Sequence, residues 1–356
     1  MKRTPPVNNG DMSPMSIRPC SAARRRARAL AALTAVAALS LSACSDDTAT
    51  PAGDEAPEGQ ATAEGVELMG QWPLTGLPAD TEAPEHPVMV VKIDNSSSSS
   101  PQIGLSKADL VTEELVEGGM TRLAVFYYSQ TPRTVGPVRS MRATDIGIVQ
   151  PAEAALVASG GAPPTVRRVS AAGIKTFTEG AKGYVRDAGR VAPYNLMMNL
   201  PALARSLKST QPPESYLPWG NEDDFPKGQK VSKVAASFSG GHTTNWQYRA
   251  GHYDNLNSYA AAGDRFQPDT LLTLRVQVGD AGYRDPAGNP VPETKFTGKG
   301  DAMVFHKGRM VRATWEKPGL DARLTLSTKA GELKLPPGKV WMELVPANGG
   351  NVTVGK

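Results

Sequence analysis

The chain has 356 residues and a formal net charge of +4, but its first 43 residues carry more than that excess. Lys2, Arg3, Arg18, Arg24, Arg25, Arg26 and Arg28 lie there, and beyond them the chain holds 32 basic and 34 acidic residues, so no general affinity for nucleic acid is expected. Cys20 and Cys44 are the only cysteines, which excludes a disulfide framework or a cysteine-built metal site in the body.

Residues 1–43 read as an export signal. The basic cluster precedes an apolar stretch from Ala29 to Ala43 that is too short to span a bilayer. It ends at Leu41-Ser42-Ala43-Cys44, small residues before a cysteine, which resembles a bacterial lipobox. The expectation is a diacylglycerol on Cys44, anchoring the mature chain to the extracytoplasmic face of the cell membrane. Residues 44–70 follow as an acidic tether with seven carboxylates, no base and little to bury.

The body is expected to be α+β, with a mixed α/β domain over 71–215, a connection over 216–242, a smaller, mainly β domain over 243–346 and a tail over 347–356. Pro87 to Ile93 is an apolar, β-branched run that predicts a buried strand, stopped by Asp94-Asn95 and a loop of five serines. Ser106 suits the N-cap of a helical turn reaching Leu110. Val111–Val116 and Arg122–Tyr128 predict a hairpin turning at Gly118-Gly119. Arg142–Gln150 reads as helix and Ala154–Ser159 as strand, closed by Gly160-Gly161. Asn199 is placed to cap a helix from Pro201 to Leu207. Further on, Leu271–Val278, Ala302–His306, Met310–Trp315, Arg323–Ser327 and Val340–Val345 are short strands separated by Gly and Pro turns.

No P-loop, zinc-protease helix, nucleophile elbow or dinucleotide fingerprint is present, so no catalytic residue, metal or cofactor is assigned. Of the four histidines, His242 and His252 form a loose pair expected on the surface or in loops rather than as zinc ligands. The polar residues instead gather between 94 and 142. Asp94, Asn95 and Gln102 follow the first strand, and Glu114, Glu117 and Arg122 lie on or beside the hairpin. Alternation is expected to put Glu113 and Glu117 on the face opposite Glu114. Arg139, Ser140 and Arg142 precede a helix start, where guanidinium groups beside backbone donors suit a carboxylate or phosphate. The leading expectation is a non-enzymatic binding or scaffold lipoprotein whose cleft takes an anionic envelope component or a protein partner. One alternative is an envelope glycan hydrolase using Asp94 and Glu117 as paired carboxylates. The other is the solute-binding lipoprotein of an importer.

Several ordered motifs carry a family resemblance. They are Pro73-Leu74-Thr75-Gly76-Leu77-Pro78, Ile93-Asp94-Asn95, Pro101-Gln102 with Gly104-Leu105-Ser106, Glu117-Gly118-Gly119 with Thr121-Arg122, and Gly136-Pro137-Val138-Arg139-Ser140 with Arg142. Gly308, Trp315 with Lys317, Pro337-Gly338-Lys339 with Trp341, and Leu344-Val345-Pro346 extend the pattern to the far end. Together they resemble the YerB-like bacterial lipoproteins, a family of unknown function divided into an N- and a C-terminal part. The resemblance implies a cell-envelope lipoprotein and brings no activity or cofactor. Tyr194 stands where the family pattern has a histidine, which weakens any catalytic reading of that position.

Overall fold

The computed structural model describes residues 70–209 and 211–356. Cys44, the export segment and the tether up to residue 69 lie outside the described residues. No described helix is long and apolar enough to cross a membrane.

In chain order the strands begin with β1 (Met89–Asn95), β2 (Leu110–Leu115), β3 (Thr121–Tyr127), β4 (Ala155–Val157) and β5 (Thr176–Phe177). A small hairpin, β6 (Tyr184–Arg186) and β7 (Leu196–Met198), follows, then β8 (Gln229–Lys230), β9 (Lys233–Ser237), β10 (Thr243–Arg249) and β11 (His252–Asn255). The last group is β12 (Thr270–Arg284), β13 (Pro290–Lys295), β14 (Gly298–His306), β15 (Arg309–Lys317), β16 (Thr325–Thr328), β17 (Gly331–Glu332), β18 (Val340–Pro346) and β19 (Asn351–Gly355). Among the described residues, three short α-helices, α1 (Asp145–Val149), α2 (Pro163–Ala171) and α3 (Leu200–Ala204), complete a strand-rich, mixed α+β body.

A single large sheet runs β17-β16-β15-β14-β12-β18-β2-β3-β1-β4-β5, with β13 and β8 added at its margins. Its middle joins the two ends of the sequence, because β18 pairs in parallel with β2, from Val340 opposite Leu110 to Leu344 opposite Glu114. The sheet therefore does not break at residues 216–242. That stretch is also not a plain connection, since β9 lies inside it and forms the centre of a second sheet, β11-β10-β9-β19. The expected tail supplies β19, which pairs along β9 from Asn351 opposite Ser237. Short strands separated by turn residues are visible in the sequence, but periodicity carries no information about which sheet a strand enters.

Each face of the large sheet has its own cover. Val90, Leu110, Phe126, Leu272 and Leu344 point to the side packed by α1, α2 and the turn holding Leu74. Val91, Leu123, Leu271 and Trp341 face the small sheet through Val234, Trp246 and Tyr253, with Leu200 and Leu203 of α3 alongside. Trp246 and Trp341 meet edge to face at 5.0 Å, worth about 0.5–1.5 kcal/mol beyond their burial.

Local expectations hold where chemistry is local. Asn199 caps α3, its side chain accepting from Ala202 N at 2.9 Å. The β14–β15 turn places Lys307 at φ 46° and Gly308 at φ 68°, the left-handed pair a tight hairpin requires. Ser106 is different: it sits inside a 3-10 turn (Leu105–Lys107) and its hydroxyl donates to Asp264 at 2.6 Å, so a distant carboxylate takes the group expected to cap a helix.

Because β2 needs β18 as a neighbour, a fragment ending at residue 215 is expected to show no cooperative unfolding. The whole protein should unfold in one urea transition. Leu344→Ala, at a position with no solvent exposure, should destabilise it by about 2–5 kcal/mol. Tryptophan fluorescence and circular dichroism, followed together, test both expectations.

Candidate functional site

Flanked by β3 and β18, β2 sends Glu113 and Glu114 to opposite faces, and neither has any solvent exposure. A charged group buried on both sides of a sheet must be met by partners there.

On the helical face, Glu114 lies opposite Arg122 of β3, which in turn lies opposite Asp94 of β1. One pair further along, Lys92 is wholly buried between Glu114 and Asp145, the latter at 2.7 Å. Burial pushes the Glu114 carboxyl up; Lys92 opposes this and Asp145 adds to it. Asp145 opens α1 and its other oxygen takes the Arg142 backbone N–H at 2.6 Å. The start of this helix is thus closed by its own side chain and offers nothing to a ligand.

Toward the strand ends the arrangement changes sign. Glu117 accepts from Arg142 Nε at 2.8 Å and Arg122 Nη2 at 3.2 Å, with a second, shorter bond from Arg142. Arg122 also donates to the Ser140 carbonyl at 3.0 Å, while its Nε finds no partner among the described residues. Two guanidinium groups therefore share one carboxylate. Burial alone would raise Glu117, but the Arg142 hydrogen bonds and both arginine charges hold it below its ordinary value. Burial, followed by the nearby Arg142, brings Arg122 down to about 10. Arg139 stands apart, bound to Asp94 at 2.9 Å and lying 5.0 Å over the Tyr194 ring.

Beside Arg142 opens a cavity of about 460 Å³, lined by Ser140, Ser159, Gly160, Gly161 and Tyr283 among others. The Ser140 and Ser159 hydroxyls are 3.3 Å apart. The backbone N–H groups of Gly160, Gly161 and Ala162 have no hydrogen-bond partner among the described residues. Gly160 adopts φ +139°, and a Cβ on Gly161 would come within 2.8 Å of Met141 Cγ, so this loop needs both glycines. The far wall is the overhanging end of β12, tied down by Tyr283 OH to Thr165 Oγ1 at 2.7 Å; the β13 residue Glu293 adds two bonds from Arg168 at 2.8 and 2.6 Å.

The expected cleft is thus divided. Asp94, Glu114, Glu117, Arg122, Arg139, Ser140 and Arg142 share the helical face, whereas Asn95 and Gln102 belong to the other. Gln102 Nε2 donates to the Asp94 carbonyl at 2.7 Å and to Asn95 Oδ1 at 3.1 Å. Asn95 in turn reaches Glu113 at 3.1 Å. Glu117 does not follow Glu113, because β2 stops at Leu115 and a 3-10 turn carries Glu117 back toward the arginines. His242 lies in the loop just before β10, as one of the two expectations had it, but not on the surface: it is 7% exposed and its Nε2 lies 2.9 Å from Glu113. His252, half-buried, pairs with Asp254 and lies far from any such role. Sequence reasoning missed Lys92, Asp145 and Glu343. The available signal was a charged residue inside an apolar run, as in Val90-Val91-Lys92-Ile93 and Trp341-Met342-Glu343-Leu344.

Lys92→Met should strand two buried carboxyls without a cation and destabilise the protein by about 3–5 kcal/mol. Lys92→Met combined with Glu114→Gln and Asp145→Asn should recover most of that loss. Urea midpoints of the single and triple variants check this; equal losses would mean the network carries no charge coupling.

Comparison with known proteins places these features in a family. The family model described as protein of unknown function (DUF3048), N-terminal domain, matches residues 74–213, and the corresponding C-terminal domain matches 233–342. The Bacillus subtilis (strain 168) protein YerB, named as a candidate lipoprotein, is 24% identical over 289 residues, which is 77% of this chain and 86% of YerB. The crystal structure of YerB superposes with a TM-score of 0.66 at 21% identity, covering 80% of this chain and 99% of that one, and so shows a common fold. The family's two parts are separated by residues 214–232, and they share the large sheet through β2 and β18. With both models matched across most of the described body, the chain belongs to the YerB-like DUF3048 family.

Proposed function

We propose that this protein is a lipid-anchored, non-enzymatic binding protein of the cell envelope, taking an anionic group in the cavity beside Arg142. The observation that carries the reading is the unequal pairing of Arg122 and Arg142 with the single carboxylate of Glu117. The two guanidinium groups are each more than nine-tenths buried and outnumber the carboxylate they share, so a negative group brought against them is stabilised. The cavity lining holds what such a group needs next: two adjacent hydroxyls, and a loop of Gly160, Gly161 and Ala162 whose backbone N–H groups have no partner among the described residues. Carboxylate and phosphate share this chemistry, and envelope glycans carry both.

Anchoring rests on the Cys44 lipobox and on the relative YerB, named as a candidate lipoprotein. With Cys44 acylated, the body faces outward on its acidic tether and samples ligands close to the membrane. The hydrolase reading loses its acid: Glu117 is held below the ordinary carboxylate range by the arginines. Asp94 is occupied by Arg139 and by the Ser96 backbone N–H at 3.0 Å.

Full-length protein in detergent, titrated calorimetrically with a carboxylated and with a phosphorylated glycan fragment, should bind one of them saturably. Arg142→Ala should weaken that binding at least about 10-fold, and Arg142→Lys less, because lysine keeps the charge and loses the fork. Ser159→Val, which removes one of the two cavity hydroxyls and leaves both cluster arginines in place, should weaken it as well. Absence of binding, or equal affinity in all variants, would contradict the reading.

A further inference from the structure

The face opposite the arginines holds a second polar cluster around Glu113. Its carboxylate accepts from Thr121 at 2.8 Å, Thr244 and His242 at 2.9 Å, Asn95 at 3.1 Å and Trp341 at 3.2 Å. Five donors converge on this one carboxylate, which satisfies its oxygens inside a dry interior. Directly opposite in the parallel register of β2 and β18 stands Glu343, also with no solvent exposure. Glu343 receives one donor, Trp246 Nε1 at 2.7 Å, and its second oxygen has no partner among the described residues.

Among the described residues, no cation forms an ion pair with Glu343. From β2 it faces Glu113, whose other partners include the imidazole of His242; from the small sheet it meets Trp246; and from β12 it lies opposite Thr273, while Arg275, opposite Val345, donates to the Ala347 and Gly350 carbonyls instead. Lys92, Arg122 and Arg142 all lie across the sheet with Glu114 and Glu117. Two ionised carboxylates on adjoining strands of a dry interior repel strongly. One of the pair must hold a proton, and the donors around Glu113 decide which.

We infer that Glu343 is carried in the folded protein as the neutral acid, so that its proton makes the β2–β18 seam a pH-sensitive joint between the two halves of the chain. Burial first, and then the Glu113 charge, push the Glu343 carboxyl well above the carboxylate range. The sign follows from linkage. A folded-state value raised above the unfolded one contributes stability that is complete below the ordinary glutamate value of 4.5 and is lost as pH rises through the folded value. Alkaline conditions therefore loosen this seam, while the arginine-bound Glu117, whose value is lowered, loses its contribution only on acidification.

Glu343→Gln is the neutral mimic, with the shape of the protonated acid and a donor for Glu113. Melting temperatures of the full-length wild type and E343Q are compared between about pH 5 and about pH 8. The difference in Tm is expected to move steadily in favour of E343Q as pH rises. A difference that does not change with pH, or one that moves toward the wild type, overturns the inference. Carbon-13 NMR of the glutamate side chains gives a reading that does not depend on the variant folding. The Glu343 carboxyl, assigned through its own side-chain protons, should keep its protonated position at neutral pH; a signal at the ionised position overturns the inference. In Glu113→Gln the same signal should begin to titrate at lower pH, and an unchanged titration overturns the role given to Glu113.

Discussion

A central strand that carries two consecutive glutamates sets the terms for this molecule. Once β2 is flanked by β3 and β18, side-chain alternation sends Glu113 and Glu114 into opposite faces of the sheet, and neither can reach water. Leaving either one without partners would forfeit several kcal/mol. Each face therefore builds a polar cluster into an otherwise apolar layer. Beside Glu114 the partners are Lys92 and Asp145; beside Glu113 they are Thr121, His242, Thr244 and the indole of Trp341. Both clusters draw groups from segments far apart in sequence, which ties the register of β1, β2, β3 and β18 to the satisfaction of buried charge as well as to apolar packing.

The two clusters have different outlets. On the helical face, the network continues from Glu114 through the Asp94–Arg122 row to Glu117 and Arg142, then to a cavity whose walls come from both family parts. Charge grows more positive along this path, because two guanidinium groups meet one carboxylate at its end. On the other face the small sheet seals the cluster, and the largest fully buried aromatics, among them Trp246 and Tyr253, lie over it. An open face offers ligand chemistry, whereas a sealed face offers a stored proton and a means of coupling the two halves. The same strand supplies both.

Much of the fold was legible in the sequence, for reasons that are local. β1, β2, β3, β12, β14, β15 and β18 announce themselves through β-branched runs bounded by Gly, Pro and Asn, and the Asn199 cap is a one-turn interaction. The grouping of Arg122, Arg139, Ser140 and Arg142 with Glu117 was also visible, since those residues lie within a short segment. Non-local pairing was not legible. Nothing in the sequence between 216 and 242 shows that β9 organises a second sheet or that the last residues return to pair with it. His242 offers a related lesson: its surroundings in sequence, Gly240, Gly241 and two threonines, look exposed, yet the β9–β10 hairpin turns it inward onto Glu113. Lys92 and Glu343 were hidden by the apolar runs around them, although a lone charge inside such a run is itself the sign of a buried partner.

Everything proposed for the open face turns on Arg122 and Arg142 sharing the single carboxylate of Glu117 beside the cavity, and on an anion binding there. Nitrogen-15 NMR of the Arg142 Nε–H, titrated with inorganic phosphate and then with anionic glycan fragments, reads that group directly. The account predicts a saturable shift of the Arg142 signal, accompanied by Arg122 and absent from the exposed Arg186. An Arg142 signal that stays fixed at saturating anion, or one that moves no more than Arg186, would contradict it.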